Sequence, residues 1–133
     1  MMRATWAGVV GLGLAALAAG GCEPPSTPDG LMREQLGHLK ALTAACENKE
    51  PFETHWGISS KMKAAADKFE KLKPTDEQRE ELRRRYLADF TAAMNRFQPA
   101  ASKAVAAEPR LVDPLNDAVD AVVRMMPWLG GAR

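Results

Sequence analysis

The feature that most constrains the fold is the spacing of apolar residues, which recur every three or four positions along most of the chain after residue 30. This spacing places them on one face of an α-helix, and no strand-like alternation of useful length occurs. Prolines and glycines crowd into residues 8–30, residues 51–57 and the last third of the chain, which leaves long stretches free to be helical. The sequence therefore predicts an all-α fold of four amphipathic helices. Mostly short connections favour an antiparallel up-down four-helix bundle.

The first two helices are predicted from their apolar stripes. Helix one is expected over about residues 31–47, and residues 48–57, which include a proline and a glycine, are expected to form a loop. Helix two is expected to follow behind an N-cap at Ser59 or Ser60. The two stripes consist of Met32, Leu36, Leu39, Leu42 and Cys46, and of Ile58, Met62, Ala65, Phe69 and Leu72.

The third helix has the strongest local start signal of the chain. Thr75 is expected to cap it, Gln78 to bond back to the cap, and Asp76 to be its first residue. Pro99 lacks an N–H and clashes with the preceding turn, so it is expected to kink or split the helix before an end near Ala107.

The fourth helix is expected to begin at Asp113-Pro114, read as an N-cap followed by proline at the first helical position, and to fray after Pro127. Trp128 belongs to an apolar segment next to this end. It is expected either to fold back as a lid on the helices or to remain exposed as a partner contact.

The first 21 residues have the pattern of a secretory signal. A positive start at Arg3 precedes an uncharged apolar run over residues 5–19, which is shorter than the roughly 20 residues of a membrane-spanning helix. The segment Ala19-Gly20-Gly21-Cys22 resembles the lipobox of bacterial lipoprotein precursors, although Ala19 stands where leucine is commonest. The resemblance covers only this leader and implies cleavage before Cys22 and lipid on its thiol. The alternative is plain secretion with Cys22 left as a thiol, which would allow a disulfide to Cys46.

These signals divide the chain into three parts. Residues 1–21 form a signal peptide, residues 22–30 the lipidated cysteine and a stiff Pro-rich tether, and residues 31–133 the helical domain. We expect the protein to be lipid-anchored on the extracytoplasmic side of the cell envelope, facing the periplasm if the organism is Gram-negative. The expected partners are the membrane, through Cys22, and another envelope protein.

The charge balance argues against nucleic acid as a partner. Loss of residues 1–21 removes only Arg3 of the 18 basic residues, which leaves 17 against 17 Asp and Glu. A phosphate-binding domain usually carries a basic excess, and the chain without residues 1–21 has none.

Three residues are candidate ligand or redox contacts: Cys46, His38 and His55. Cys46 falls on the stripe of helix one, where a small buried hydrophobe is expected. His38 lies about 12 Å from it along a helix, too far for both to bind one ion unaided. His55 is expected in the loop beside Trp56 as a solvated or loop-packing residue. No metal or cofactor is predicted, and no catalytic motif indicates an enzyme.

A basic cluster follows the start of helix three. Arg79, Arg83 and Arg84, together with Trp128, are the candidate interaction surface. Arg85 belongs to the same cluster. Glu80 and Glu81 precede Arg84 and Arg85 by four residues, so ion pairs on an exposed helix face are expected.

The segment Pro74-Thr75-Asp76-Glu77-Gln78-Arg79 is similar to the Leu-Thr-x-x-Gln signature of periplasmic helical chaperones of the Spy and CpxP type. Here a proline replaces the leucine, the motif occurs once instead of twice, and the similarity covers six residues. The function expected from the whole sequence is a non-enzymatic protein-interaction or binding module. The alternatives are a small-ligand or metal carrier that uses the interior of the bundle and, ranked last, an enzyme of unrecognised type.

Overall fold

A computed structural model describes residues 27–131, and within this range every regular element is helical. The five α-helices are α1 (Pro28–Glu47), α2 (Phe52–Lys71), α3 (Asp76–Ala107), α4 (Val112–Met125) and α5 (Pro127–Gly131). A 3₁₀ turn, Pro109–Leu111, joins α3 to α4. The leader and Cys22 lie outside the described residues.

Local capping explains where α1 and α3 begin. The Thr27 side chain accepts a hydrogen bond from the Gly30 N–H at 3.0 Å, and Pro28 fills the first turn, where its missing N–H costs nothing. The predicted tether thus gives way to helix at Pro28, three residues before the expected start. In α3 the predicted capping box is confirmed, because Thr75 and Gln78 bond to each other's backbone N–H groups at 3.1 and 2.8 Å.

Two predicted starts are wrong. Helix α2 begins at Phe52, not behind Ser59 or Ser60, because Pro51 precedes the helix as its N-cap and Gly57 is accommodated inside it. Helix α4 begins at Val112 as a continuation of the 3₁₀ turn, so Asp113 lies within the helix and caps nothing.

The later helix boundaries also differ in detail from the sequence prediction. Helix α3 is continuous from Asp76 to Ala107 with Pro99 inside it, so the helix is not split. At the C-terminal end, α4 stops at Met125 and Pro127 starts the short helix α5 instead of a frayed end.

Helix α1 packs against both α2 and α3, and α2 packs against α4. The core between them includes three fully or almost fully buried aromatic rings, Phe69, Phe90 and Phe97. Polar contacts cross the helix pairs: the buried Gln35 amide donates to the Met62 carbonyl at 3.0 Å, and Arg124 of α4 bonds to Asp67 and Glu70 of α2 at 2.6 and 2.7 Å. No helix within residues 27–131 is both long enough and apolar enough to cross a membrane.

Candidate functional site

A cleft of ≈ 920 Å³ opens where α1 ends and α2 begins. The connection over residues 47–53 forms one side, the second half of α3 forms the other, and the 3₁₀ turn closes one end. This position places the cleft at the opposite end of α1 from Thr27, about 30 Å along a helix of 20 residues.

The cleft exists because α3 changes from large to small side chains. Its buried stripe includes Phe90, Met94 and Phe97, whereas the next turns place Pro99, Ala100, Ala104 and Ala107 against the cleft. The alanine side chains are too small to fill the space that the phenylalanine rings occupy in the preceding turns of α3. Phe52 and Leu111 complete the apolar wall.

His55 is the buried polar residue of this wall. It lies in the first turn of α2, is 0% exposed, and its Nδ1 is 3.1 Å from the Pro51 carbonyl oxygen. Because a carbonyl oxygen only accepts, Nδ1 carries a proton and donates this hydrogen bond. This Nε2 has no hydrogen-bond partner among the described residues. Burying a polar atom without a hydrogen bond lowers the free energy of unfolding by an amount on the order of 1–3 kcal/mol.

This placement corrects the prediction for His55, which was expected in a solvated or loop-packing role. His55 is part of a helix and is buried because α2 starts at Phe52, six residues before Ile58, where the predicted stripe began. His55, Ser59, Met62, Ala66 and Phe69 are spaced by four, three, four and three, and all are buried. Extending the stripe back through Ser59 would have placed His55 on the buried face.

Cys46 lies in the same wall, so the structure brings two of the three predicted contact residues to one cleft. The residue is 5% exposed, as expected of a stripe position. Burial, and to a smaller extent the negative charge of Glu47, raises the pKa of the Cys46 thiol to about 11. The thiol is therefore protonated at neutral pH and is a poor nucleophile.

His38 does not belong to the cleft. It lies in the middle of α1, partly buried, and its Nε2 is 3.0 Å from a carboxylate oxygen of Glu34 one turn earlier. Across residues 27–131, no group of three or more His, Cys, Asp or Glu side chains is arranged to hold a metal ion.

The rim of the cleft is charged but balanced. Arg96 bonds to Glu47 at 3.1 and 3.2 Å, and this contact holds the pKa of the Glu47 carboxyl below its usual range. Arg110 bonds to Glu108 at 2.6 Å and lies 4.9 Å above the centre of the Phe52 ring. Four further rim residues form no salt bridge within the part of the chain that the structure describes: Lys49, Glu50, Glu53 and Lys103. Four acidic and four basic side chains therefore give the lining a formal charge of zero.

The predicted basic cluster lies at the other end of the domain, and most of its charges are paired. Arg83 bonds to Glu80, and Arg84 to Glu81. Arg85 bonds to Asp29 at 2.6 Å and holds the pKa of that carboxyl low, which ties α3 to the start of α1. The predicted ion pairs between residues four positions apart are also present: Glu80–Arg84 at 3.8 Å and Glu81–Arg85 at 3.4 Å.

The two remaining residues of the predicted interaction surface contact apolar groups of the domain. The Arg79 guanidinium lies 5.4 Å from the centre of the Phe69 ring. Trp128 is partly buried and packs against the core, which agrees with the lid alternative. Trp56, by contrast, is 52% exposed and stacks on Phe52 with 6.3 Å between ring centres.

Sequence reasoning missed the cleft itself. Phe52 and Arg110 were not singled out, and neither were the alanines of α3 that line the cleft. No protein-family model matches the chain, and no characterised protein or solved structure matches it either. The geometry of the cleft is therefore the main basis for a functional proposal.

Proposed function

We propose that this protein is a lipid-anchored helical protein of the cell envelope that acts as a non-enzymatic binding module, with the cleft as its binding surface. The observation that carries the proposal is a cleft of ≈ 920 Å³ that combines apolar side chains, among them Phe52 and Leu111, with charged side chains of both signs. Binding sites in general combine a mostly apolar wall with a few placed polar groups.

The position of the cleft supports a partner in the envelope. Lipid on Cys22 would fix the chain five residues before Thr27, where α1 is about to begin. The cleft lies at the far end of α1, about 30 Å from that point. In this proposal the membrane holds the near end of the domain, and the cleft is presented to another envelope protein.

The proposal assigns no reaction to the cleft. A thiol with a pKa of about 11 forms little thiolate at neutral pH, which argues against Cys46 as a nucleophile or soft metal ligand. The similarity of residues 74–79 to chaperones of the Spy and CpxP type fits a module that binds other polypeptides. The capping box of Thr75 and Gln78 explains the same residues structurally.

We also propose that α1 to α4 alternate in direction, as in an antiparallel up-down bundle. Contacts between residues 35 and 62, and the short connection between α1 and α2, support opposite directions for this pair. The packing partner of α1 on its other side is α3. We include a bend at Pro99 in the same proposal. Proline has no N–H, so residue 99 donates no hydrogen bond to the Asn95 carbonyl one turn earlier.

A second candidate is a carrier for a small ligand. It is favoured by the presence of His55 and Cys46 in one wall. Native mass spectrometry of the purified full chain separates the two functions, since a tight carrier retains reproducible extra mass and a transient protein-binding module does not.

The binding proposal is tested by photo-crosslinking in intact cells. A photoreactive residue at Lys103, on the rim, is expected to crosslink an envelope protein, while the same residue at the exposed Ala88 of α3 is not. Adding Ala104→Leu, which fills the hollow, should remove the crosslink. Equal crosslinks from both positions, or a crosslink that survives Ala104→Leu, would contradict the cleft as the binding surface.

The anchor is tested separately with Cys22→Ser. This substitution should abolish metabolic labelling by a fatty-acid analogue and release the protein from the membrane fraction. Unchanged labelling would refute lipid on Cys22 without bearing on the cleft.

A further inference from the structure

We infer that the end of the domain beside the lipid anchor lies against the membrane and contacts its anionic headgroups. This surface, the anchor-side face, consists of Lys71, Leu72 and Lys73 at the end of α2 and of Trp128 and Leu129 in α5. The inference rests on the lipid anchor of the proposed function and does not depend on the cleft.

The length of chain between the anchor and α1 brings the start of α1 close to the bilayer. Five residues separate Cys22 from Thr27, and a chain spans at most about 3.6 Å per residue, so Thr27 lies within about 18 Å of Cys22. The end of the domain that contains Thr27 is therefore held near the lipid, whereas the cleft lies about 30 Å further along α1.

The turn between α2 and α3 lies at this same end. Thr27 and Gln78 line one surface pocket, and Gln78 bonds to Thr75. Leu72 precedes Thr75 by three residues, a span of at most about 11 Å. The exposed turn is therefore a neighbour of the start of α1.

Helix α5 lies near the same turn. Arg124, in the last turn of α4, bonds to Glu70, in the last turn of α2, at 2.7 Å. Trp128 follows Arg124 by four residues, a span of at most about 14 Å. The two parts of the anchor-side face therefore belong to one end of the domain.

The anchor-side face exposes apolar side chains. Leu72 is 41% exposed, and its turn is well defined, because the Leu72 and Lys73 N–H groups bond to carbonyls of α2 and Pro74 is buried. Trp128 and Leu129 pack against the core but remain partly exposed. Tryptophan is enriched where a bilayer meets water, and leucine is typical of the apolar side of membrane-surface helices.

Lysines surround the exposed leucine. Lys68, Lys71 and Lys73 are exposed and form no salt bridge within residues 27–131, and the two carboxylates at this end of α2 pair with Arg124. Lysine side chains next to a membrane are attracted to anionic headgroups, while their aliphatic stems lie along apolar neighbours. Two exposed carboxylates follow in the first turn of α3, where the helix dipole partly offsets their charge. We therefore expect the face to prefer an anionic bilayer.

Brominated lipids test the contact, because they quench tryptophan fluorescence only at short range. Cleavage before Cys22 removes Trp6 and leaves Trp128 on the anchor-side face and Trp56, which lies about 24 Å from Leu72 along α2. The lipidated protein, carrying Trp56→Phe or Trp128→Phe, is reconstituted in vesicles of brominated phosphatidylcholine with or without phosphatidylglycerol. Quenching of Trp128 is expected to be several-fold greater than quenching of Trp56, and greater with phosphatidylglycerol than without it.

Variants in the Trp56→Phe background test the lysines. Lys71→Gln combined with Lys73→Gln should lower the quenching in phosphatidylglycerol vesicles to the level measured without this lipid. Lys61→Gln combined with Lys63→Gln removes the same charge from exposed positions earlier in α2 and should leave the quenching unchanged, so it is the matched control.

A second pair of variants tests the apolar contact. Leu72→Gln should lower the quenching of Trp128 in both kinds of vesicle. Val112→Gln changes a residue with the same exposed fraction, 41%, at the start of α4 beside the cleft, and should have no effect.

The outcomes separate this inference from the proposed function. Equal quenching of Trp56 and Trp128 would overturn the inference, and so would an equal effect of the two pairs of lysine variants. If Cys22→Ser releases the protein from the membrane but Trp128 is quenched no more than Trp56, the inference fails and the anchor stands. If Cys22→Ser also leaves fatty-acid labelling and membrane binding unchanged, both fail.

Discussion

Replacing His55 with leucine should make the protein more stable, although the residue is fully buried. The substitution removes Nε2, a buried polar atom without a partner among the described residues, whose desolvation costs about 1–3 kcal/mol. It also removes the hydrogen bond from Nδ1 to the Pro51 carbonyl, which contributes about 0.5–1.5 kcal/mol. That carbonyl keeps a second donor, the Thr54 N–H at 3.0 Å, so no new unpartnered group is created.

The difference between these terms is a gain of about 1 kcal/mol in the free energy of unfolding. Leucine also has the higher helix propensity, which acts in the same direction by a few tenths of a kcal/mol. For a domain of this size, such a gain corresponds to a rise in Tm of about 5 °C.

Urea denaturation followed by circular dichroism measures this change, and the slope with denaturant should stay constant. His38→Leu is the matched control. It exposes an apolar side chain and loses the contact with Glu34, so no gain is expected there. A loss of 1 kcal/mol or more in His55→Leu, with an unchanged slope, would refute the unpartnered state of Nε2.

Three further substitutions test the fold and its electrostatics. Thr75→Ala removes the N-cap of α3 and should cost about 1 kcal/mol in thermal or urea unfolding; no loss would contradict the capping box. Hydrogen bonds from Arg124 lower the pKa values of Asp67 and Glu70 in the folded protein. The two carboxylates therefore stabilise the fold at a pH above their pKa values in the unfolded chain. This stabilisation is lost as the pH falls through their pKa values in the folded protein. Arg124→Gln should therefore cost about 0.5–1 kcal/mol at pH 7 and almost nothing at a pH low enough to protonate both carboxylates in the folded protein; a pH-independent loss would contradict the ion pairs. Trp128→Ala should cost about 2 kcal/mol if its contacts with the core are those of a lid, and a loss below about 0.5 kcal/mol would contradict that role.

The parts of the fold that sequence reasoning predicted are those with complete local signals. Thr75 and Gln78 specify the start of α3 through two hydrogen bonds that involve only neighbouring residues, and that start is correct to the residue. The start of α2 has no comparable cap. Pro51 was treated as a loop residue, whereas proline before a helix is equally consistent with a start. Gly57 was treated as a break, although a glycine within a helix costs only about 1 kcal/mol, which tertiary packing readily offsets.

The cleft was beyond local reasoning because it depends on which helices become neighbours. Cys46 was correctly placed on a buried face, but its proximity to the wall formed by α3 follows from the packing of α1 against α3. The change from Phe97 to Ala100 and Ala104 is visible in the sequence. It signals a cavity only once a second surface is known to face those alanines.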